Sequence, residues 1–299
     1  MNVETVHLFL NPTAGRGRAG RREKRIAALL RAGGLDVEVH ASTGVGDLEA
    51  RVRSQVERGV RRVVVAGGDG SVHEATNGIL LGGGEAALGV VPSGTGNDFA
   101  KACQVPLDWE HATRLLADRI AADQVGRAVD VGLMNGRYFA NGAGIGLDAR
   151  VTQIARSYRM PIGDFVYLLA IFRAMVEGIA TPRMRLLSDD VIWDGPLTLA
   201  NIANGPWVGG MFQIAPMADN SDGRFDLMIA APVSRTRILT LLPTLMTGTH
   251  VGEPEITHEP VTRLVVEADE PVVSHLDGEM QQPQRRFEIE LLPGALRLL

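Results

Sequence analysis

The strongest constraint on this chain is a pattern that occurs four times before residue 100. An apolar run ends in a turn of small residues, and a helical pattern leaves the turn. The runs are "TVHLFLNP" (5–12), "LDVEVHAS" (35–42), "RRVVVAGG" (61–68) and "AALGVVPSG" (86–94). Between them lie "RAGRREKRIAALLRAGG" (18–34), with Ile26, Leu29 and Leu30 at helical spacing, then "GDLEARVRSQVERG" (46–59) and "SVHEATNGILLGG" (71–83). Further helical signals run from Asn97 to Cys103 and from Asp108 to Ala121. Ser71 and Glu74 fit a capping box at the start of the third helix. Strands alternating with helices predict a largely parallel sheet covered on both faces. In such sheets ligands sit beyond the carboxyl ends of the strands. The turns at 11–17, 42–46, 67–71 and 92–98 are expected to converge there.

The pattern changes after about Arg127. "RAVDVGLMNGRYFANGAGIG" (127–146) reads as a hairpin around Asn135-Gly136. A helical stretch over 148–178 follows, and then short β-like runs at 183–187, 190–194, 197–203, 224–231, 262–268, 272–276 and 286–291. The expectation is a second, mostly β domain with a boundary near 125–130. A chain of 299 residues with 45% hydrophobic content has the material for two cores.

Charge and cysteine content narrow the function classes. A net charge of −5 is unlike a generic nucleic-acid binder. The single cysteine, Cys103, excludes an internal disulfide framework and a multi-cysteine zinc site, and fits a reducing cytoplasm. The N-terminus lacks the basic flank and long apolar core of a signal peptide. The most apolar stretch, "FVYLLAIFRAMV" (165–176), is interrupted by Arg173 and is too short to span a bilayer. A soluble or at most peripheral protein is expected. Lys24 and Lys101 are the only lysines among 30 basic residues, so a phosphate site here must rely on backbone N–H groups, arginine or metal.

Several short motifs carry chemistry. Glycines 67, 68 and 70 let backbone N–H groups approach an anion ahead of a helix N-terminus, yet Asp69 places a negative charge among them. The lysine and spacing of a P-loop are missing. "VVPSGTGNDFAKA" (90–102) repeats the layout, with Thr95 between Gly94 and Gly96 and Asp98 in the first helical turn. "LNPTAGRGRAG" (10–20) is a loop able to hold phosphate or ribose, followed by arginines that mostly form a solvated face. Thr43 ends the second strand. In "SHLDGEM" (274–280), Asp277 and Glu279 flank a glycine, as an ordinary β-turn also would. In "APMADNSDGRFDLMI" (215–229), Asp219, Asn220 and Asp222 offer oxygens to a hard cation, although no EF-hand loop is present. "NGAGIGLDARV" (141–151) has glycines like a dinucleotide fingerprint but follows a hairpin instead of opening a βαβ unit.

Taken in order, NPTAG (11–15), Thr43, GGDGS (67–71), PSGTGNDFA (92–100), the APMADNSDGRFDL segment and DGE (277–279) resemble the diacylglycerol-kinase catalytic-domain family, in particular its bacterial soluble lipid kinases. Ser71 stands where the family more usually has threonine, and His73 where it often has asparagine. The resemblance implies an α/β N-terminal nucleotide-binding domain over 1–128. It also implies a β-rich, sandwich-like C-terminal domain over 129–285, with the active site in the interdomain cleft and 286–299 packing back on the first domain. It implies ATP and Mg²⁺ as cofactors and a lipid hydroxyl, diacylglycerol-like, as acceptor, in phospholipid biosynthesis. The nucleotide site would comprise Asn11, Pro12, Thr13, Ala14, Gly15, Thr43, Gly67, Gly68, Asp69, Gly70, Ser71 and Thr95. Asp69, Asp98 and the DGE acids would form a metal-centred network, which resolves the charge conflict at Asp69 because a divalent ion makes acid and phosphate mutually favourable. Asp277 or Glu279 would accept the proton of the attacking hydroxyl. Asp219, Asp222 and the carbonyl of Arg224 would hold a structural Mg²⁺. The implied setting is cytoplasmic, peripheral to the inner face of a membrane, with lipid as partner, no nucleic acid, and a homodimer compatible with the sequence. Three rival readings stand beside it: a small-molecule kinase of the NAD-kinase type, a non-catalytic nucleotide-binding protein of the same fold, and a peripheral membrane-binding module without chemistry, to which Arg16–Arg25 gives some footing and the net acidity does not.

Overall fold

The computed structural model describes residues 5–158, 163 and 165–299. The chain divides into two units, Met1–Val131 with Pro293–Leu299, and Gly132–Leu292.

In the first unit the elements are β1 (Thr5–Leu10), α1 (Ala14–Ala32), β2 (Asp36–Ala41), α2 (Asp47–Glu57), β3 (Arg62–Gly67), α3 (Asp69–Leu81), β4 (Ala87–Pro92), α4 (Asp98–Ala102) and α5 (Trp109–Ala121); β5 (Arg127–Met134) leads out of it. The strands pair in the order β2-β1-β3-β4, all parallel. Every residue of β3 and β4 is buried, which is why those runs are apolar without alternation. Val6, Leu8 and Leu10 of β1 share a core with Ile26 and Leu30 of α1 and with Leu116 and Ile120 of α5. Helices α2 and α3 meet through Gly78, where a Cβ would lie 2.7 Å from the Glu49 carbonyl and 2.8 Å from Val52 Cβ. The last residues complete this unit: Arg297 and Leu298 pair in parallel with Ala87 and Leu88 of β4, and Leu299 is buried in the same core.

The capping box expected at Ser71 and Glu74 does not form. Helix α3 starts at Asp69, straight off the strand, with Gly68 as its cap residue and no side-chain cap bond. Ser71 therefore falls within the first turn, and Glu74 Oε2 instead accepts the N–H of Glu49 at 3.2 Å, near the start of α2.

The second unit contains β6 (Arg137–Phe139), β7 (Gly142–Gly146), α6 (Leu147–Ser157), α7 (Phe165–Glu177), β8 (Arg183–Leu187), β9 (Val191–Pro196), β10 (Leu199–Ala203), β11 (Trp207–Val208), β12 (Phe212–Gln213), β13 (Phe225–Ala230), α8 (Arg235–Thr247), β14 (Ile256–Val261), β15 (Arg263–Leu276) and β16 (Glu279–Leu298), whose end belongs to the first unit. Pairing runs β14-β13-β10-β7-β15-β16 and is antiparallel throughout. Strand β15 serves two neighbours: residues 265–268 pair with β8 and 274–276 with β7, and the register shifts between the two halves. Such a bend lets one long strand belong to both layers of a sandwich-like fold. The core holds Phe139 stacked on Phe225 at 5.4 Å, with Leu264, Phe287 and Ile289.

Several expected elements differ in extent. The runs at 262–268 and 272–276 are one strand, and 286–291 is part of the longer β16. The helix expected over 148–178 is present as α6 and α7; positions 159–162 and 164 between them lie outside the described residues. Helix α8 and strand β14 had no counterpart in the sequence reading. Pro243 sits inside α8 and reads as a breaker, whereas Ser234 caps the helix by accepting the N–H of Arg237.

Candidate active site

Three of the four strand-end loops of the first unit touch one another. A Cβ on Gly68 would lie 2.8 Å from Gly94 Cα, so the loops after β3 and β4 pass backbone against backbone. Gly15, in the loop after β1, has φ +56°, and a Cβ there would collide with the Ser93 carbonyl. Arg18 ties the same loops together, donating through Nε to Gly15 O at 3.0 Å and through its guanidinium to Gly94 O at 2.7 Å. Asn97, held at φ +54°, accepts the Gly94 N–H at 3.0 Å and shapes the turn before α4. Gly15→Ala combines left-handed strain with a backbone clash. It is expected to lower unfolding free energy by about 2 kcal/mol or more in urea titration and to weaken nucleotide binding in parallel.

Asp69 and Asp98 belong to this cluster. Asp69 Oδ1 accepts the N–H of Phe99, the residue after Asp98, at 3.2 Å, which joins the start of α3 to the start of α4. Asp98 is buried, with Lys101 Nζ 3.3 Å from its Oδ1. Asn11 Oδ1 accepts both the N–H and the hydroxyl of Thr13, an Asx turn that shapes Asn11–Gly15, while Gly20 packs on Pro12. Gly67 leaves room for the Ser71 hydroxymethyl group, and Thr95 is exposed at the tip of its loop. Thr43 is placed differently. Its N–H and hydroxyl both donate to Asp47 at the start of α2, and Arg51 together with Thr43 holds the Asp47 carboxyl below its usual range.

The other two acids lie in the second unit, at the turn joining β15 to β16. Asp277 and Gly278 have φ of +51° and +85°, as a two-residue hairpin turn of mirror-image type requires. The Asp277 carboxylate accepts three backbone N–H groups, from Ala140, Asn141 and Gly142, at 2.8–3.0 Å. Glu279 is partly exposed and meets Arg156 at 2.8 Å; Arg156 also donates to Gly278 O.

Also within this unit is an open apolar cavity lined by residues such as Val151, Tyr167, Ile171, Phe212, Ile238 and Leu242. The stretches 165–175 and 207–212 both contribute to it.

The family model of the diacylglycerol kinase catalytic domain matches residues 5–132, and that of the YegS C-terminal NAD kinase beta sandwich-like domain matches residues 141–299. A Pseudomonas aeruginosa protein named "Probable lipid kinase YegS-like" is 33% identical over 282 residues, covering 94% of this chain and 90% of that one. The chain belongs to the diacylglycerol kinase catalytic-domain family. A diacylglycerol kinase of Mycobacterium tuberculosis is 32% identical over 309 residues, covering 99% of this chain and 95% of the relative. The crystal structure of a diacylglycerol kinase from Bacillus anthracis superposes with a TM-score of 0.76 over 100% of this chain and 97% of that one. At 24% identity that likeness speaks for the fold alone. The protein is thus an enzyme, a kinase with the two-part architecture of this family.

One polar cluster of the kinase escaped the sequence reading. Asp148, at the start of α6, lines the cavity, accepts from Asn201 Nδ2 at 2.7 Å and approaches His275 Nε2 at 3.3 Å. A side chain at Gly144 would occupy the space these groups use. Burial opposes ionisation of Asp148, but the attraction of His275 and hydrogen bonds from His275 and Asn201 outweigh it and hold the carboxyl below its usual range. The folded-state pKa is depressed, so the pair's contribution is present above the ordinary value of 3.8 and is lost as pH falls through the lower folded value. Asp148→Ala leaves His275 and Asn201 without their acceptor. It should cost about 3 kcal/mol at pH 7 in chemical denaturation, with the gap to the parent narrowing in acid.

In the loop before β13, Asp219 Oδ1 accepts the N–H and hydroxyl of Ser221, and Asp222 accepts the N–H of Arg224 and its Nε at 2.9 Å. Asp219, Asp222 and Arg224 are all exposed.

Proposed function

We propose that the kinase transfers the γ-phosphoryl group of ATP, with Mg²⁺, to the hydroxyl of a diacylglycerol-like lipid. The apolar cavity of the second unit carries this reading. Its walls are almost wholly hydrocarbon, which suits an acyl chain and offers a dinucleotide acceptor little to bind. The nucleotide goes to the first unit. No side chain caps α3, and although the Ser71 and Val72 N–H groups bond to Gly68 O, the dipole of its N-terminus favours a phosphate next to Gly67, Gly68, Gly70, Ser71 and Thr95. Asn11–Gly15 flanks the same loops; Thr43 stands further out, held by Asp47.

The acids suit a hard divalent ion by their chemistry, since Asp69 and Asp98 bring carboxylate oxygens to neighbouring loops joined by the Phe99 N–H bond to Asp69. Bound there, Mg²⁺ would supply charge neutralisation to the phosphates. Asp219, Asp222 and the Arg224 carbonyl form a second all-oxygen donor set, in which the Arg224 guanidinium would have to leave Asp222.

Glu279 is the proton acceptor in this reading. Three of the lone pairs of Asp277 are already engaged by backbone N–H groups, whereas Glu279 is partly exposed and held by Arg156. The acceptor O–H gives its proton to the Glu279 carboxylate as its oxygen bonds to the γ-phosphorus. The bond from that phosphorus to the β–γ bridging oxygen breaks, and ADP leaves. Asp277 holds the turn that aims Glu279.

Helix α7 gives the kinase its route to lipid. Tyr167 and Ile171 line the cavity, while Phe165, Leu169, Phe172 and Val176 form an exposed apolar stripe on the same helix. That stripe docks on the membrane that holds the acceptor. Phe172→Asp with Val176→Asp is expected to reduce sedimentation with lipid vesicles about tenfold and to leave transfer to a detergent-dispersed short-chain acceptor near the parent rate.

The decisive assay is transfer of labelled γ-phosphate from Mg-ATP to a detergent-dispersed lipid panel, with NAD and no-lipid controls. A labelled lipid, strongest for diacylglycerol, supports the reading. Labelled NADP in its place overturns it.

A further inference from the structure

Beyond the kinase site, a second cluster of ligating side chains lies at the β2 edge of the first unit. His7 of β1 and Glu38 and His40 of β2 project from one face of the paired strands, since His7 is in register with Glu38, Phe9 with His40, and alternate residues of a strand share a face. His7 Nδ1 and His40 Nε2 are 2.9 Å apart. The Glu38 carboxylate lies beside that line, 3.7 Å from His7 Nδ1 and 3.4 Å from His40 Nε2. One ligand atom from each side chain thus lies within 4.8 Å of the others, the nearer Glu38 oxygen being Oε2 for His7 and Oε1 for His40, and the cluster is the one grouping of three or more such side chains found among the described residues.

We infer that His7, Glu38 and His40 form a site for a late first-row divalent metal ion such as zinc. Ligand atoms on a tetrahedral zinc ion, with bonds of about 2.0–2.1 Å, lie about 3.3 Å apart. The His7–His40 separation of 2.9 Å falls short of that value and each histidine's distance to its nearer Glu38 oxygen, 3.7 and 3.4 Å, exceeds it, so a small rotation of the exposed carboxylate brings one oxygen into range of both nitrogens. The two imidazoles now face each other almost in one plane, at 12°, sharing a single N–H between the nitrogens. An ion replaces that proton on the Glu38 side, with the rings parting by a few tenths of an ångström and tilting toward the carboxylate. The displaced proton moves to the far nitrogen of the same ring, so both imidazoles stay neutral. Two nitrogen donors select zinc, cobalt or nickel over magnesium and calcium, which prefer all-oxygen sites. Phe9, stacked 4.6 Å from His40, walls one side, and the exposed Glu38 leaves the other open to water as a fourth ligand.

The surroundings suit a neutral ligand set. Burial, only partly opposed by Glu38, holds His40 below the ordinary histidine range, so the metal-binding form predominates at pH 7. Arg51 of α2 is the opposing charge nearby, and it is engaged by Asp47. The ion would clip the edge strand β2, which pairs only with β1, onto its neighbour.

Equilibrium dialysis of untagged, metal-stripped protein against zinc chloride tests the site, with the cobalt(II) visible spectrum reporting nitrogen ligation. The parent should bind about one zinc ion. His40→Gln should bind at least about tenfold more weakly and lose the tetrahedral cobalt spectrum. Glu38→Gln, at an exposed position, should melt like the metal-free parent yet lose the rise in melting temperature that zinc gives. No zinc bound by the parent overturns the inference. Zinc held equally well by His40→Gln and Glu38→Gln places the ion elsewhere and overturns it too.

Discussion

Asp69→Ala should leave a folded protein whose phosphoryl transfer is about 10²–10³ slower, the loss typical of removing one electrostatic contact to a developing charge. The structural loss is small by comparison. Asp69 Oδ1 accepts the backbone N–H of Phe99, and a bond of that kind contributes about 1 kcal/mol. Asp69→Asn separates the two roles, because the amide oxygen still accepts from Phe99 while the charge is gone. Both variants should be equally slow, with circular dichroism and melting near the parent. An asparagine variant of normal turnover would mean that Asp69 only braces the α4 loop, and the metal-centred network would have to be abandoned.

The second large effect separates Glu279 from Asp277. Glu279→Gln removes a proton acceptor, and kcat should fall about 10²–10⁴ with the KM for ATP little changed. Asp277→Asn acts on structure. Its amide can accept at one atom only, and its NH₂ would oppose one of the N–H groups of Ala140, Asn141 and Gly142. Stability should drop by about 1–3 kcal/mol, read in urea titration, and activity should follow the fraction folded. Full turnover of Glu279→Gln in the same lipid assay would remove it from the proton-transfer role.

The nucleotide half was legible because each strand announces its own end. An unbroken apolar run such as Val63–Ala66 must be buried on both faces, and glycines must follow where backbone meets backbone, as Gly68 does Gly94. Family membership was legible from the ordered motifs. The Asp148, Asn201 and His275 cluster was not, since its members are spread over 128 positions and no local pattern links them; Gly144 is a trace, a glycine kept small by Asp148 four residues on and by His275 far along the chain. Asn97 carried a readable signal, because asparagine before a helix tolerates the left-handed backbone it adopts. The cavity was legible only as an alternative: the stretches 165–175 and 207–212 offer an acceptor pocket as readily as a core, because Ile171 at helical spacing reads the same whether it lines a void or fills one, and the α8 wall with Leu242 was not read at all.

The pairing of Arg297 and Leu298 with β4 carries a consequence for how the protein is made. The first unit draws its outermost strand from roughly 160 residues beyond Val131. At a synthesis rate of about 5–20 residues per second, a nascent chain spends about 8–32 s with that strand still untranslated. Throughout that interval β4, whose six residues are all buried in the finished protein, is a bare apolar edge open to any passing strand. Co-translational chaperone demand should therefore persist from the emergence of β4 until Arg297 and Leu298 are made. Ribosome-bound fragments that stop short of Arg297 should aggregate more readily than the released kinase.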